Sequence, residues 1–452
     1  MSFSHMLAER ACALTLNSLP AEALLITRRA TADTIGVAFA GCRSDFIDAV
    51  EDVCEVGSAG GVATLWGRGE RASILQAALL NGISAHALDF DDCSTTMGGH
   101  PSAPVLPAIL ALAEQKKASF GQVAEAYVTG VEVETRLARG LLPHHYDKGW
   151  HPTATLGIFG AAAAAARLLN FNTAQTANCL AMAVSMASGL KSNFGTPVKP
   201  LHVGQAAYHG LLAALLTERG LNSNPEAFEH NYGFFRLFNG EGTYDQHAIL
   251  DGWDGPLEIL APGIAIKQHP CCGSAHSAID AALKIVNRHG LFDEHSIQKI
   301  EIETHERRLA HTNRPIPKSG LDAKFSVQFL TAKALVSGQI CLADFEDEGF
   351  LTPQISALLA KTQAVGHQQA DAYRGTVRVT LTDGRVLEGV ASTQFGRGPT
   401  NPMSDDELEK KFIDCAHTLL GAEVASNIFR EIQALVPDDR IAPVIARCAV
   451  QN

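Results

Sequence analysis

Three carboxylates and two imidazoles fall within fifteen residues of this chain, where Asp89, Asp91 and Asp92 lie between His86 and His100. The loop Ser94-Thr95-Thr96-Met97-Gly98-Gly99 leads into His100, and Pro101-Ser102 follow it. Carboxylates and imidazoles exchange protons near neutral pH, and a glycine-bearing loop lets them converge on one ligand. The chemistry is that of general acid–base catalysis. An acidic run can also simply cap a helix end and pair at the surface. Asp91 and Asp92 are read that way, as structural support. Asp89, at helical spacing from His86, stays with His100 as a proton-transfer candidate.

Further islands pair titratable residues with Gly and Pro. His151 in Gly149-Trp150-His151-Pro152 precedes an alanine-rich helix, whose N-terminus also attracts anions. Lys199 is held by Pro200 in Lys199-Pro200-Leu201-His202, and Lys267 ends the apolar run Ile264-Ala265-Ile266. A lysine after such a run is awkward unless it meets an anion. Cys271-Cys272 with His269 and His276 raises metal ligation, but adjacent thiols without a second pair fit one tetrahedral centre poorly, so no metal is expected. Gly67-Arg68-Gly69 does not extend to a dinucleotide fingerprint, and neither a P-loop nor a G-x-S-x-G turn is present. No cofactor is expected. A set of Lys, His and Asp residues without a cofactor motif suits proton abstraction beside a carboxylate, with cations holding the substrate's negative charges.

The elements that must position these groups fall into two kinds. To about residue 260 the apolar spacing is helical, over Ala21–Ala38, Ser73–Leu88, Pro104–Ala113, Gly121–Leu137, Leu156–Leu169, Thr176–Met186 and Gly204–Thr217. Their many small residues permit close helix packing. After Pro262 the pattern alternates, at Ile297–Thr304 and at Thr376–Leu381, and Thr382-Asp383-Gly384-Arg385 turns the chain into Val386–Val390. Helices are expected between these strands, at His276–His289 and Ala323–Ser337. Ser404 and Glu407 then announce a C-terminal helix by a capping box. The expected fold is mostly α with a smaller α/β (α+β) lid domain carrying an antiparallel sheet. Residues 1–263 and 398–452 form the helical domain, and 264–397 the lid.

At 452 residues the chain exceeds one ordinary core, and its 46% apolar and 19% charged residues are a globular balance. A net charge of −12 without a basic stretch disfavours nucleic acid. Ten cysteines lack framework spacing, and Met1-Ser2-Phe3-Ser4-His5 leads into an amphipathic helix rather than a signal segment, which points to the cytoplasm. The apolar stretches are too short for a membrane span.

Taken in order, His86-Ala-Leu-Asp-Phe-Asp-Asp92, His100-Pro-Ser102, Gly149-Trp-His-Pro152, Lys199-Pro-Leu-His202, Ile266-Lys267 and Met403-Ser-Asp-Asp-Glu407 resemble the MmgE/PrpD family over essentially the whole chain. The family includes 2-methylcitrate dehydratases, cis-aconitate decarboxylases and an iminodisuccinate epimerase. The resemblance implies a two-domain architecture, a homodimer, a small polycarboxylate substrate, and catalysis without metal or organic cofactor. It implies Asp89, His100, His151, Lys199 and Lys267 in the pocket, with Cys93 and His311 beside them; Asp89, His100, His151 and Lys267 are read as catalytic, and Lys199, Cys93, His311 and His276 as substrate-binding. Two positions depart from the decarboxylase branch: Cys93 stands where that branch commonly has Thr, and His311 where it has Tyr.

The expected activity is abstraction of a proton α to a carboxylate. Gly99–Ser102, Gly149–Gly157 and Lys191–Thr196 look more like the epimerase-type branch and favour epimerisation; the lyase outcomes, dehydration and decarboxylation, are the alternative. The residue set is shared by all three. A non-catalytic metabolite-binding protein on the same fold is the alternative of another class.

Overall fold

Helices in the first half of the chain begin where polar side chains close their free N–H groups. Ser73 with Gln76, Ser119 with Gln122 and Asn172 with Gln175 form reciprocal caps at the starts of Ile74–His86, Phe120–Leu141 and Thr173–Val184. The computed structural model describes residues 1–56, 60–346, 350–393 and 396–450. Within it the chain divides into two units, Met1–Ile266 with Gly398–Asn452, and Lys267–Arg397.

The large unit is helical, with further long helices at Ala21–Gly41, Ser102–Lys116, Gly157–Leu168 and Val198–Glu218. The last starts six residues before the expected Gly204. Pro200 lies in its first turn, where a missing N–H breaks no bond, so the proline admits the helix rather than ending it.

Glycine decides how closely that helix meets Ile74–His86. A Cβ on Gly204 would lie 2.4 Å from the Leu79 carbonyl oxygen, and one on Gly82 would lie 3.0 Å from the Gly204 Cα. Only bare backbone allows this approach. Asp89 follows just beyond the C-terminus of one helix, and Lys199 sits in the first turn of the other. The glycine contact therefore carries the two charged groups together.

The C-terminal segment returns to this unit. In the capping box the Glu407 N–H donates to Ser404 Oγ at 3.1 Å, and the Ser404 N–H donates to Glu407 Oε2 at 2.7 Å. Helix Asp405–Leu420 packs on Ala21–Gly41, where Phe412 meets Phe39 edge to face with centroids 5.8 Å apart. From it the buried Lys411 ammonium lies 2.6 Å from Asp33 and donates to the Phe90 carbonyl at 2.9 Å, bracing the acidic loop.

The small unit holds a four-stranded sheet in the order Thr362–His367, Ile297–His305, Arg374–Leu381, Val386–Ser392. The second, third and fourth strands pair antiparallel as expected. The first pairs parallel with Ile297–His305, so the sheet is mixed and not the antiparallel one expected. The intervening helices return the chain in the same direction, which is what a parallel neighbour requires. Helix His276–His289 lies on the strands, with a Cβ at Gly389 placed only 2.0 Å from the Ala281 carbonyl oxygen. Among the described residues no helix is long and apolar enough to cross a membrane.

Candidate active site

Asp89 is placed by a backbone reversal. Helix Ile74–His86 ends, the Asp89 N–H donates to the His86 carbonyl at 3.2 Å, and Asp89 takes the left-handed conformation with φ of 54°. Asp is among the few residues that tolerate this region. Asp89 is therefore not one helical turn on from His86, as its spacing suggested, but beyond the helix end. Its Oδ1 receives the Lys199 ammonium at 2.6 Å and lies 3.4 Å from His100 Nε2. All three residues are buried.

Asp91, expected as structural support, instead faces two imidazoles. Its Oδ2 lies 2.8 Å from His86 Nδ1 and 3.2 Å from His100 Nδ1. Asp92 turns the other way. It accepts from Ser102 Oγ at 2.5 Å and from the Ser102 N–H at 3.3 Å, and Ser102 Oγ is also 2.6 Å from Tyr127 Oη. Burial, then the nearby Asp33, push the Asp92 carboxyl up to about 7. Asp92 thus anchors the start of helix Ser102–Lys116.

The loop beyond is held by an antiparallel pairing of Cys93–Ser94 with Ile264–Ala265. This sets Cys93 Sγ 3.7 Å from His100 Nδ1. His151 precedes the short helix Pro152–Thr155, and its N–H donates to the Gly189 carbonyl at 3.0 Å. Its buried ring has centroids 5.9 Å from His86, 5.7 Å from His202 and 4.9 Å from Phe194. Burial, then the neighbouring His86 and Lys199, hold His151 well below the ordinary imidazole range. Burial likewise brings His86 down to about 4 against the pull of Asp91. Both are neutral imidazoles near pH 7, the form that accepts a proton.

Asp89, Cys93, His100, His151 and Lys199 thus come together in the large unit. His86, Asp91 and His202 join them; His86 had been counted in the acidic island but not chosen as a site residue.

Lys267, His276 and His311 belong to the small unit. Lys267 and His276 are buried. His276 opens helix His276–His289 with its ring centroid 5.1 Å from that of His269, and burial, then His269 and Lys267, keep it well below the usual imidazole value. His311 is half-buried on helix Glu306–Thr312, which packs on the turn Gly273–Ala275 just before His276. His269 Nε2 lies 3.0 Å from Asp280 Oδ1, and Asp280 Oδ2 accepts from Thr393 Oγ1 at 2.5 Å and from Gln268 Nε2 at 3.2 Å.

His86, Asp89, Asp91 and His100 bring four possible metal-ligand atoms within 4.8 Å of one another. Their donors are already engaged with each other, and the Lys199 ammonium stands on Asp89. A divalent cation there would meet that positive charge and have to displace a ring proton facing Asp91. The donor set fits a proton-transfer network better than a metal cage. Cys271 is buried and Cys272 half-buried.

The sequence matches the MmgE/PrpD N-terminal domain over residues 5–247 and the C-terminal domain over residues 269–435. The chain belongs to the MmgE/PrpD family. Among its relatives is the cis-aconitate decarboxylase of Mus musculus, 28% identical over 439 residues that cover 93% of this chain and 88% of the relative. The Homo sapiens cis-aconitate decarboxylase is 28% identical over 90% of this chain and 86% of its own. The 2-methylcitrate dehydratase of Cupriavidus necator is 25% identical over 70% of this chain and 69% of its own. The family's two-domain architecture agrees with a mostly helical chain bearing a small mixed sheet.

Proposed function

We propose that this protein is a lyase acting on a small polycarboxylate, with decarboxylation of a cis-aconitate-like substrate as its first expected reaction. The observation that carries this reading is the buried Asp89–Lys199 pair with His100 against the same carboxylate oxygen. It lies in a chain similar over 93% of its length to a named decarboxylase. The relatives' names shift the weight from the epimerase expected above to its lyase alternative.

In decarboxylation the bond from the α-carbon to the departing carboxylate breaks, CO2 leaves, and the electron pair remains as an enolate-like carbanion. A cation beside the remaining carboxylates lowers the energy of that charge. Lys199 supplies such a cation. The imidazole that faces two carboxylates, His100, then delivers the proton that completes the product. Dehydration uses the same groups differently: a base removes the proton next to the carboxylate, and an acid protonates the departing hydroxyl to release water.

A second reading, epimerisation, is favoured by the segments Gly99–Ser102, Gly149–Gly157 and Lys191–Thr196, which resemble the epimerase-type branch. It requires a proton to leave one face of the carbon and return on the other.

Incubation in deuterated water with a panel of di- and tricarboxylates, followed by NMR, separates the outcomes. Released CO2 with one deuteron in the product supports decarboxylation, and an alkene with loss of hydroxyl supports dehydration. Deuterium at the α-carbon with inversion replaces the lyase by the epimerase. Neither turnover nor exchange across the panel would overturn the enzymatic reading in favour of a metabolite-binding protein.

A further inference from the structure

Asp91 is fully buried, and its carboxylate faces nitrogen atoms of two different rings. His86 Nδ1 lies 3.0 Å from Oδ1 and 2.8 Å from Oδ2, while His100 Nδ1 lies 3.2 Å from Oδ2. The two rings cross at 74° with centroids 4.5 Å apart, so one carboxylate fits the fork between them. Burial alone would push the Asp91 carboxyl up, yet the charges and hydrogen bonds of His100 and His86 hold it well below the ordinary carboxylate range. An ionised carboxylate only accepts, so each Nδ1 facing it must carry the proton. A neutral ring bonded in this way has its lone pair on Nε2.

The opposite edges of the two rings meet different surroundings. Among the described residues His86 Nε2 is buried without a hydrogen-bond partner, beside His151, whose Nδ1 is also buried and without one. Beside the other groups of the site, each of these atoms is open to a ligand or a transferred proton. His100 Nε2 faces Asp89 Oδ1 at 3.4 Å, so this ring stands between two carboxylates, an arrangement suited to a ring that donates from both nitrogens.

We propose that Asp91 is a positioning residue that holds a proton on Nδ1 of both His86 and His100, leaving His86 an acceptor at Nε2 while His100, between Asp91 and Asp89, carries a second proton and donates there. The inference rests on the proton-transfer reading of this site. It adds two residues, His86 and Asp91, to the machinery, and it divides the work of the imidazoles by the groups each ring faces. Two rings with opposed proton preferences supply an acceptor and a donor from one corner.

The test uses the full chain with 15N-labelled histidine, observed by long-range 1H–15N correlation near pH 7.5. The wild-type His86 ring is expected in the Nδ1–H form. In Asp91→Asn the proton distribution of both rings changes, and kcat falls roughly 10²–10⁴-fold with KM within about threefold. Asp91→Glu keeps the carboxylate and is expected to recover both the ring signature and part of kcat.

A wild-type His86 ring protonated on Nε2 overturns the proposal without any variant, which covers the case of Asp91→Asn failing to fold. A folded Asp91→Asn with unchanged rings and unchanged kcat overturns it equally. Absence of turnover with every acid would sink the proposed function, while the ring spectra would still decide the role of Asp91.

Discussion

Asp91 in the large unit and Asp280 in the small unit both hold histidines, yet they are surrounded differently. Asp91 faces two imidazoles within one buried array that runs on through Asp89 to Lys199. Asp280 meets one imidazole, His269, and shares its oxygens with the Thr393 hydroxyl and the Gln268 amide. Burial opposes ionisation of Asp280, and the bonds from His269 and Thr393 bring its pKa below the ordinary value all the same. The partners of Asp280 come from a helix-preceding turn and from the residue following strand Val386–Ser392. It ties backbone segments together. A carboxylate whose partners are mainly neutral and come from separate elements reads as a fastening, whereas one whose partners are titratable and share a corner reads as machinery.

That contrast can be broken most sharply at His100. His100→Asn should lower kcat by roughly 10²–10⁴-fold while thermal unfolding stays close to wild type; an unchanged kcat would remove the large-unit corner from catalysis. Gly204→Ala reaches the same corner without touching a charge. The added methyl meets the Leu79 carbonyl, so it should cost about 1–3 kcal/mol in denaturant unfolding and weaken turnover by separating Lys199 from Asp89. Asp280→Asn should behave in the opposite sense to Asp91→Asn. It loses about 1–3 kcal/mol of stability by the same measurement, with kcat per folded molecule within about threefold. A large kcat loss at constant stability would make the two corners equivalent.

An effect of pH, spread over several units, concerns Asp92, whose carboxyl is pushed up to about 7 by burial and the nearby Asp33. A raised folded pKa contributes stability that is complete below the unfolded value of about 4 and is lost as pH rises through about 7. Asp92→Asn removes that proton from the balance. The variant should therefore gain on wild type by up to about 1.4 kcal/mol per pH unit across this window, read from denaturant midpoints at pH 5, 6 and 7. A constant difference would mean that Asp92 is already ionised.

Much of the fold is legible in the residues. Helix His276–His289 has the expected ends, and the Ser404–Glu407 cap forms as its spacing requires. Strand Thr362–His367 escaped because only Thr362 and His367 are buried in it, and Val365 is mostly exposed, so its alternation carries no apolar signature. The parallel pairing was lost with it. In the site, the islands named Asp89, His100, His151 and Lys199, because His, Lys and Asp beside Gly and Pro are conspicuous. The role of Asp91 was hidden because an acidic run does not reveal which carboxylate turns inward. The left-handed turn at Asp89 decides that, and a non-glycine residue does not advertise such a turn. His86 was counted in the island but passed over as a site residue, because it closes an apolar helix and reads as part of it.

Lys411 gives this arrangement a consequence for biosynthesis. It lies 321 positions after Phe90, whose carbonyl it holds, and the whole small unit is made in between. At typical elongation rates of about 5–20 residues per second, roughly 15–65 s pass on the ribosome between the acidic loop and its ammonium brace. Until then the nascent helices carry Asp33 and the loop without that counter-charge. The growing polypeptide cannot mature its acid–base corner in step with synthesis, and the corner is finished only when the last helices have emerged.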